Sequence, residues 1–251
     1  MLKLLQFEMS HFCEKARWTL DYKRIAYEKD TLLPGFHVPR VKRLTGQQSV
    51  PVLETPDEGY VFGSDRIAAY AERIGSGPAL YPANDALRRE ALALEERFEA
   101  VGHHARRAMF GPLFEDRDFA RRCMVGSAQG RQRSFYEKTF FATGRVITMV
   151  YALKPDRIAA STQATVEALD FVEQHLAGRD YLVGDRFTIA DLTAASLLIP
   201  VSFPKAAQVP LPDDRPAPVE QWLARFADHP TVAWTHAMFE RHRMLDVGRA
   251  E

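Results

Sequence analysis

The octapeptide SHFCEKAR, residues 10 to 17, sets a hydroxyl and a thiol three residues apart at the start of an apolar-periodic stretch. A helix N-terminus presents unpaired amides and the positive end of the backbone dipole, so it favours a thiolate over a thiol that otherwise titrates near about 8.5. Two chemistries fit this arrangement. Ser10 can hydrogen-bond a thiolate brought by a ligand, or Cys13 can itself be the thiolate and form a mixed disulfide. Both residues also have ordinary uses, Ser10 as an N-cap and Cys13 as a small inward-facing hydrophobe. Ser64 and Asp65 open a second candidate helix, where free amides accept a carboxylate and the acidic side chain can meet an ammonium. EAVGHHARRAMF, residues 99 to 110, offers His103 with Arg106 or Arg107 to a cleft, with a solvated helix face as the plainer reading. His103 and His104 diverge by about 100° on a helix, a poor metal pair. No HExxH-type spacing occurs, so no metal is expected. Cys123 has no motif around it and reads as structural.

These groups need elements to hold them. LKLLQF, residues 2 to 7, reads as a strand buried on both faces, followed by a helix from the Ser10 cap to near Lys23. IAYEKDTLL, residues 25 to 33, reads as a second strand, and HVPRVKRLT as a short helix or an irregular loop. VPVLE and YVFG flank the turn residues of TPDEG and predict a hairpin, after which SDRIAAYAERIG predicts a helix from Ser64. The order is βαβαββα. GSGPALYP, residues 75 to 82, interrupts all periodicity and marks a linker. Beyond it helices are expected over 84–110, 115–153 with breaks at glycines, 156–177, 188–200, 217–228 and 231–244, with 204–218 extended. In GDRFTIADL, Thr188 caps a helix, Asp191 returns a hydrogen bond to the cap amide, and Phe187 is expected to staple against Leu192.

Composition narrows the setting. Lysine plus arginine equal aspartate plus glutamate, 33 each, so no overall charge draws the chain to nucleic acid or an anionic membrane. Two cysteines are too few for a disulfide framework, and no apolar run is long enough to span a bilayer. Charges arrive too early for a signal peptide. A soluble, cytoplasmic protein is expected.

The βαβαββα half, the linker and the helical half together resemble the cytosolic glutathione transferase superfamily. Ser10 and Cys13 stand where thioredoxin-like proteins carry CxxC, with the leading cysteine replaced by serine. VPVL at 50–53, SDRIAAY at 64–70 and GDRFTIADL at 184–192 match further family elements in register. The resemblance implies an α/β thioredoxin-like domain over 1–76 and an all-α helical bundle over 84–251, with the acceptor site between them and a homodimer. It implies a cis Pro51, Val50 presenting its backbone to the cysteinyl part of glutathione, and Ser64 with Asp65 at the γ-glutamyl end. Gly63 departs from the pattern, in which Glu or Gln is frequent. Gln48, Gln47, Lys42 and His37 are all open for the glycyl carboxylate, and Phe110, Phe114, Phe135, Tyr136, Phe140 and Phe141 are candidates for an apolar acceptor pocket. The resemblance implies a glutathione transferase in which Ser10 stabilises the thiolate that attacks a small electrophile. A Cys13-based reductase or dehalogenase, and a non-catalytic binding module, stand as alternatives.

Overall fold

The computed structural model describes residues 1–243. The last position of the expected terminal helix, 244, and the tail of the expected second domain, 244–251, lie outside the described residues. The first half contains strands β1 (Leu2–Gln6), β2 (Tyr27–Thr31), β3 (Val52–Thr55) and β4 (Gly59–Phe62), with helices α1 (His11–Tyr22), α2 (Val38–Thr45) and α3 (Ser64–Ile74). This is the expected βαβαββα order of a thioredoxin-like domain. The sheet runs β2-β1-β3-β4, with β1 parallel to β2 and antiparallel to β3.

The apolar run in β1 is explained by its central place. Leu4 joins Ala16, Leu20 and Ile67 on one face, while Leu5 joins Val41 and Val52 on the other. HVPRVKRLT is helical, since Pro39 sits in the first turn, where no N–H is needed, and Gly46 closes the helix with φ 76°.

All-helical structure follows: α4 (Asp85–Glu115), α5 (Arg117–Val125), α6 (Gly130–Val150), α7 (Pro155–Leu176), α8 (Ile189–Leu197), α9 (Ile199–Ser202), α10 (Ala217–Ala224) and α11 (Pro230–His242). Helix α4 continues five residues past its expected end, through Pro112, because Leu113 is buried and rewards the extra turn. The capping box before α8 is present, and Asp191 accepts from the Thr188 amide at 2.8 Å, the Thr188 hydroxyl at 2.9 Å and the Leu182 amide at 2.7 Å. Phe187 shares the core cluster with Leu192 and has further partners as well. Its ring packs 5.5 Å from Trp18 and 4.2 Å from His242, joining α1 to the end of α11.

Helix α1 lies between the two halves, packed on both α3 and α8. Its buried Glu14 accepts from Arg17 Nε at 2.7 Å, Arg243 Nε at 2.7 Å and the Gln208 amide at 3.2 Å. Burial alone would push the Glu14 carboxyl up, but the two guanidiniums overcome it and hold the group below the usual carboxylate range. Arg243 also reaches Asp21 at 2.7 Å, so the far end of the chain is fastened along α1. No helix of the described residues is long and apolar enough to cross a membrane.

Candidate functional site

The start of α1 is built by Ser10. Its backbone is extended and its Oγ accepts the Cys13 amide at 3.3 Å, which makes it the N-cap. A capping hydroxyl accepts with a lone pair and keeps its proton to donate. The cap and the thiolate-binding role are therefore compatible, and the amides of His11 and Phe12 complete the positive end of the helix. His11 turns away from this end, with Nε2 3.0 Å from the Gly102 carbonyl on α4. Burial, helped by the charge of Arg106, pushes the His11 pKa down to about 3, so the imidazole is neutral. Gly102 is needed for this close approach, since a Cβ there would lie 2.9 Å from the Phe12 ring.

Ser10 opens into a cleft of about 720 Å³ between the sheet half and α4–α6. Gln48, Val50, Pro51, Ser64 and Asp65 line the same cleft. Of the residues expected to handle the thiol or bind glutathione's backbone and γ-glutamyl end, all but Cys13 border this cleft. Cys13 is the exception and a correction to the sequence expectation. It is 0% exposed, its Sγ accepts the Phe7 amide at 3.4 Å, and burial pushes its thiol up against the pull of Arg17. A thiol facing the core cannot meet a ligand in the cleft.

The Val50–Pro51 bond is cis, and Val50 lies just before β3 at the rim of the sheet. Gly63 explains its own departure from the family pattern, for its φ of 95° favours glycine, and a Cβ there would lie 2.6 Å from Asp65 Oδ1. Its amide donates to the Pro51 carbonyl at 3.2 Å, tying the cis bend to the start of α3. Ser64 Oγ donates to Glu99 at 2.9 Å, and Lys15 Nζ reaches the same Glu99 oxygen at 2.6 Å and Glu95 at 2.8 Å. Lys15 is fully buried. Burial works against its charge, but the two carboxylates more than offset it and hold the ammonium above its ordinary range.

The four glycyl-carboxylate candidates separate. His37 is committed at both nitrogens, accepting the Gly35 amide at 3.1 Å and donating to the Gln48 carbonyl at 2.8 Å. The Gln47 amide is closed on Ser49, and Lys42 does not line the cleft. Gln48 lines it with its side-chain amide unengaged among the described residues.

The opposite wall is α4, where Glu99, His103, Arg106 and Phe110 all face the cleft. Their spacing of 4, 3 and 4 residues is one face of a helix. His103 is exposed, as a solvated face predicts, and Arg106 is half-buried, and both border the cleft. Arg107 does turn aside, to the Tyr151 carbonyl at 2.9 Å and Ser161 at 3.1 Å. Of the six aromatic candidates only Phe110 lines the cleft. Phe140 and Tyr136 are core, Phe114 packs at its margin, and Phe135 and Phe141 are exposed elsewhere. Glu99 and Tyr151 escaped sequence reasoning. The 99-103-106-110 stripe was the signal for the first, while Tyr151 comes from the irregular end of α6, which carries no periodicity. Away from the cleft, Asp170, Glu173 and His229 bring ligand atoms within 4.8 Å of one another. His229 is accounted for there as the cap of α11, accepting the Thr231 amide at 3.2 Å.

Known proteins with this arrangement point one way. Residues 4–79 match the glutathione S-transferase N-terminal domain family, and residues 155–225 the C-terminal domain family. A glutathione S-transferase of Methylobacillus flagellatus, solved with glutathione bound, superposes with a TM-score of 0.67 at 17% identity over 100% of both chains. One from Methylobacterium radiotolerans, in complex with glutathione sulfonate, gives 0.61 at 24% identity, over 100% of this chain and 96% of that one. Among curated proteins, the glutathione S-transferase-like protein LUC7 of Fusarium is 62% identical over 32 residues, a match spanning 13% of this chain and 15% of that relative.

Proposed function

Because the chain belongs to the glutathione S-transferase superfamily, we propose that it is a glutathione transferase whose thiolate is stabilised by Ser10 and the N-terminus of α1. The observation that carries this reading is the single cleft shared by Ser10, Gln48, Val50, Ser64 and Asp65. In it, the Val50 backbone pairs strand-like with the cysteinyl part of glutathione. The first amides of α3 take the γ-glutamyl carboxylate, Asp65 meets its ammonium, and Gln48 meets the glycyl carboxylate. The sulfur then lies at the Ser10 hydroxyl. Its proton passes to solvent, and the thiolate forms a carbon–sulfur bond with an electrophile held against α4 and the end of α6. It does so either by displacing a leaving group that departs with its bonding pair or by adding to an activated double bond whose carbanion takes a proton from solvent.

Glutathione bound only to the folded state must stabilise it. At a hundred times Kd the gain is about 2.7 kcal/mol, a rise of roughly 5–10 °C in melting temperature for a chain of this size. A melting curve that does not move at millimolar glutathione contradicts the reading.

The burial of Cys13 weighs against the reductase alternative. Cys13→Ala is expected to keep glutathione-dependent turnover within about twofold while losing about 1 kcal/mol of stability through the vacated volume. Steady-state rates beside a urea melt decide it, and a collapse of turnover in a folded variant revives the thiol mechanism.

A further inference from the structure

Arg106 is a half-buried cation with no carboxylate paired to it among the described residues. The residue is partly exposed, yet its Nε is closed off from solvent and has no hydrogen-bond partner. One terminal nitrogen lies 3.0 Å from Nδ1 of His103, and the guanidinium sits 4.5 Å from the Tyr151 ring and 5.4 Å from the Phe12 ring. None of these neighbours carries a negative charge. Arg17 and Arg243, whose guanidiniums are deeply buried, both close on Glu14. Burying a cation without a counter-ion is costly, so such groups are normally paired.

The anion that completes Arg106 is not accounted for by glutathione. In the pose above, one carboxylate goes to the start of α3 beside Glu99 and the other to Gln48. Arg106 lies seven residues beyond Glu99, about 10 Å further along α4, beside the apolar surface of Phe110. It therefore belongs to the acceptor half of the cleft.

We propose that the electrophile is itself an anion, an aromatic or unsaturated compound bearing a carboxylate, whose charge Arg106 receives while Phe110 and Tyr151 cover its apolar body. This rests on the proposed glutathione transferase activity and sharpens it. A planar guanidinium receives a carboxylate through two parallel hydrogen bonds, which selects the acid over a neutral analogue of the same shape.

The test is a binding comparison on the unmodified protein. Calorimetric titrations use S-benzylglutathione and its 3- and 4-carboxybenzyl counterparts. At least one carboxylated conjugate is expected to bind tenfold or more tightly than the neutral one. Arg106→Gln should erase that advantage, and Arg106→Lys should retain only part of it. If the neutral conjugate binds well and neither acid binds more tightly, the inference is overturned and the transferase reading stands. An acid preference that survives intact in a folded Arg106→Gln protein also overturns it. If none of the three binds, the transferase reading falls and takes the inference with it.

Discussion

Lys15→Met is expected to destabilise the protein by about 3–5 kcal/mol, since it leaves buried acids without their cation. Lys15 is 0% exposed and holds Glu95 and Glu99 together at 2.8 and 2.6 Å. A loss of that size lowers the melting temperature by roughly 8–15 °C. The pH dependence identifies the cause. Burial already raises the Glu95 carboxyl, with Lys15 opposing the rise. Without Lys15 it rises further, so the folded state binds a proton more tightly than the unfolded one. Stability tied to that proton is present at low pH and is lost as pH climbs through the raised value. The deficit of Lys15→Met should therefore shrink between pH 7.5 and pH 5 in parallel urea titrations. A deficit that stays constant over that range points to simple loss of packing. Glutathione affinity should fall as well, because Glu99 is the acceptor of the Ser64 hydroxyl at the mouth of α3.

Ser10→Ala is expected to cut kcat/KM for conjugation by about 10–100-fold, the worth of one hydrogen bond to a charged sulfur. The same variant removes an N-cap, at a cost of about 1 kcal/mol in stability. Two measurements separate these effects. If Ser10 donates to the thiolate, the apparent pKa in the pH–rate profile moves up by about 1–2 units. If it is a cap and nothing more, the melting temperature drops and the profile stays in place. The stability loss is expected in either case, so only the profile bears on chemistry.

Local rules made much of this fold readable in advance. The double-sided burial of β1, the hairpin turn at TPDEG, the Ser10 cap and the Thr188–Asp191 box are each decided within a few residues, and each is present. Ser10, Ser64 and Asp65 stood out by the same rules as residues at helix starts, whereas Gln48, Val50 and Pro51 were singled out by the family resemblance alone. What escaped were partners fixed by tertiary packing. Nothing near Lys15 in the sequence marks it as buried, because its two acids come from α4, 80 and 84 residues away. The contacts of Phe187 with Trp18 and His242 were hidden for a similar reason, since only the assembled core reveals them. On α4 the spacing was visible but its meaning was not, because a stripe of charged residues faces water or a cleft with equal periodicity.

The clasp on Glu14 bears on how the molecule comes into being during synthesis. Arg243 and the Gln208 amide reach the first turns of α1 from 229 and 194 residues away. A nascent chain that has emitted only its sheet half carries Glu14 with Arg17 alone, and α1 is still one cation short. The first turns of α1 therefore gain their full set of partners only when Arg243 and Gln208 are in place.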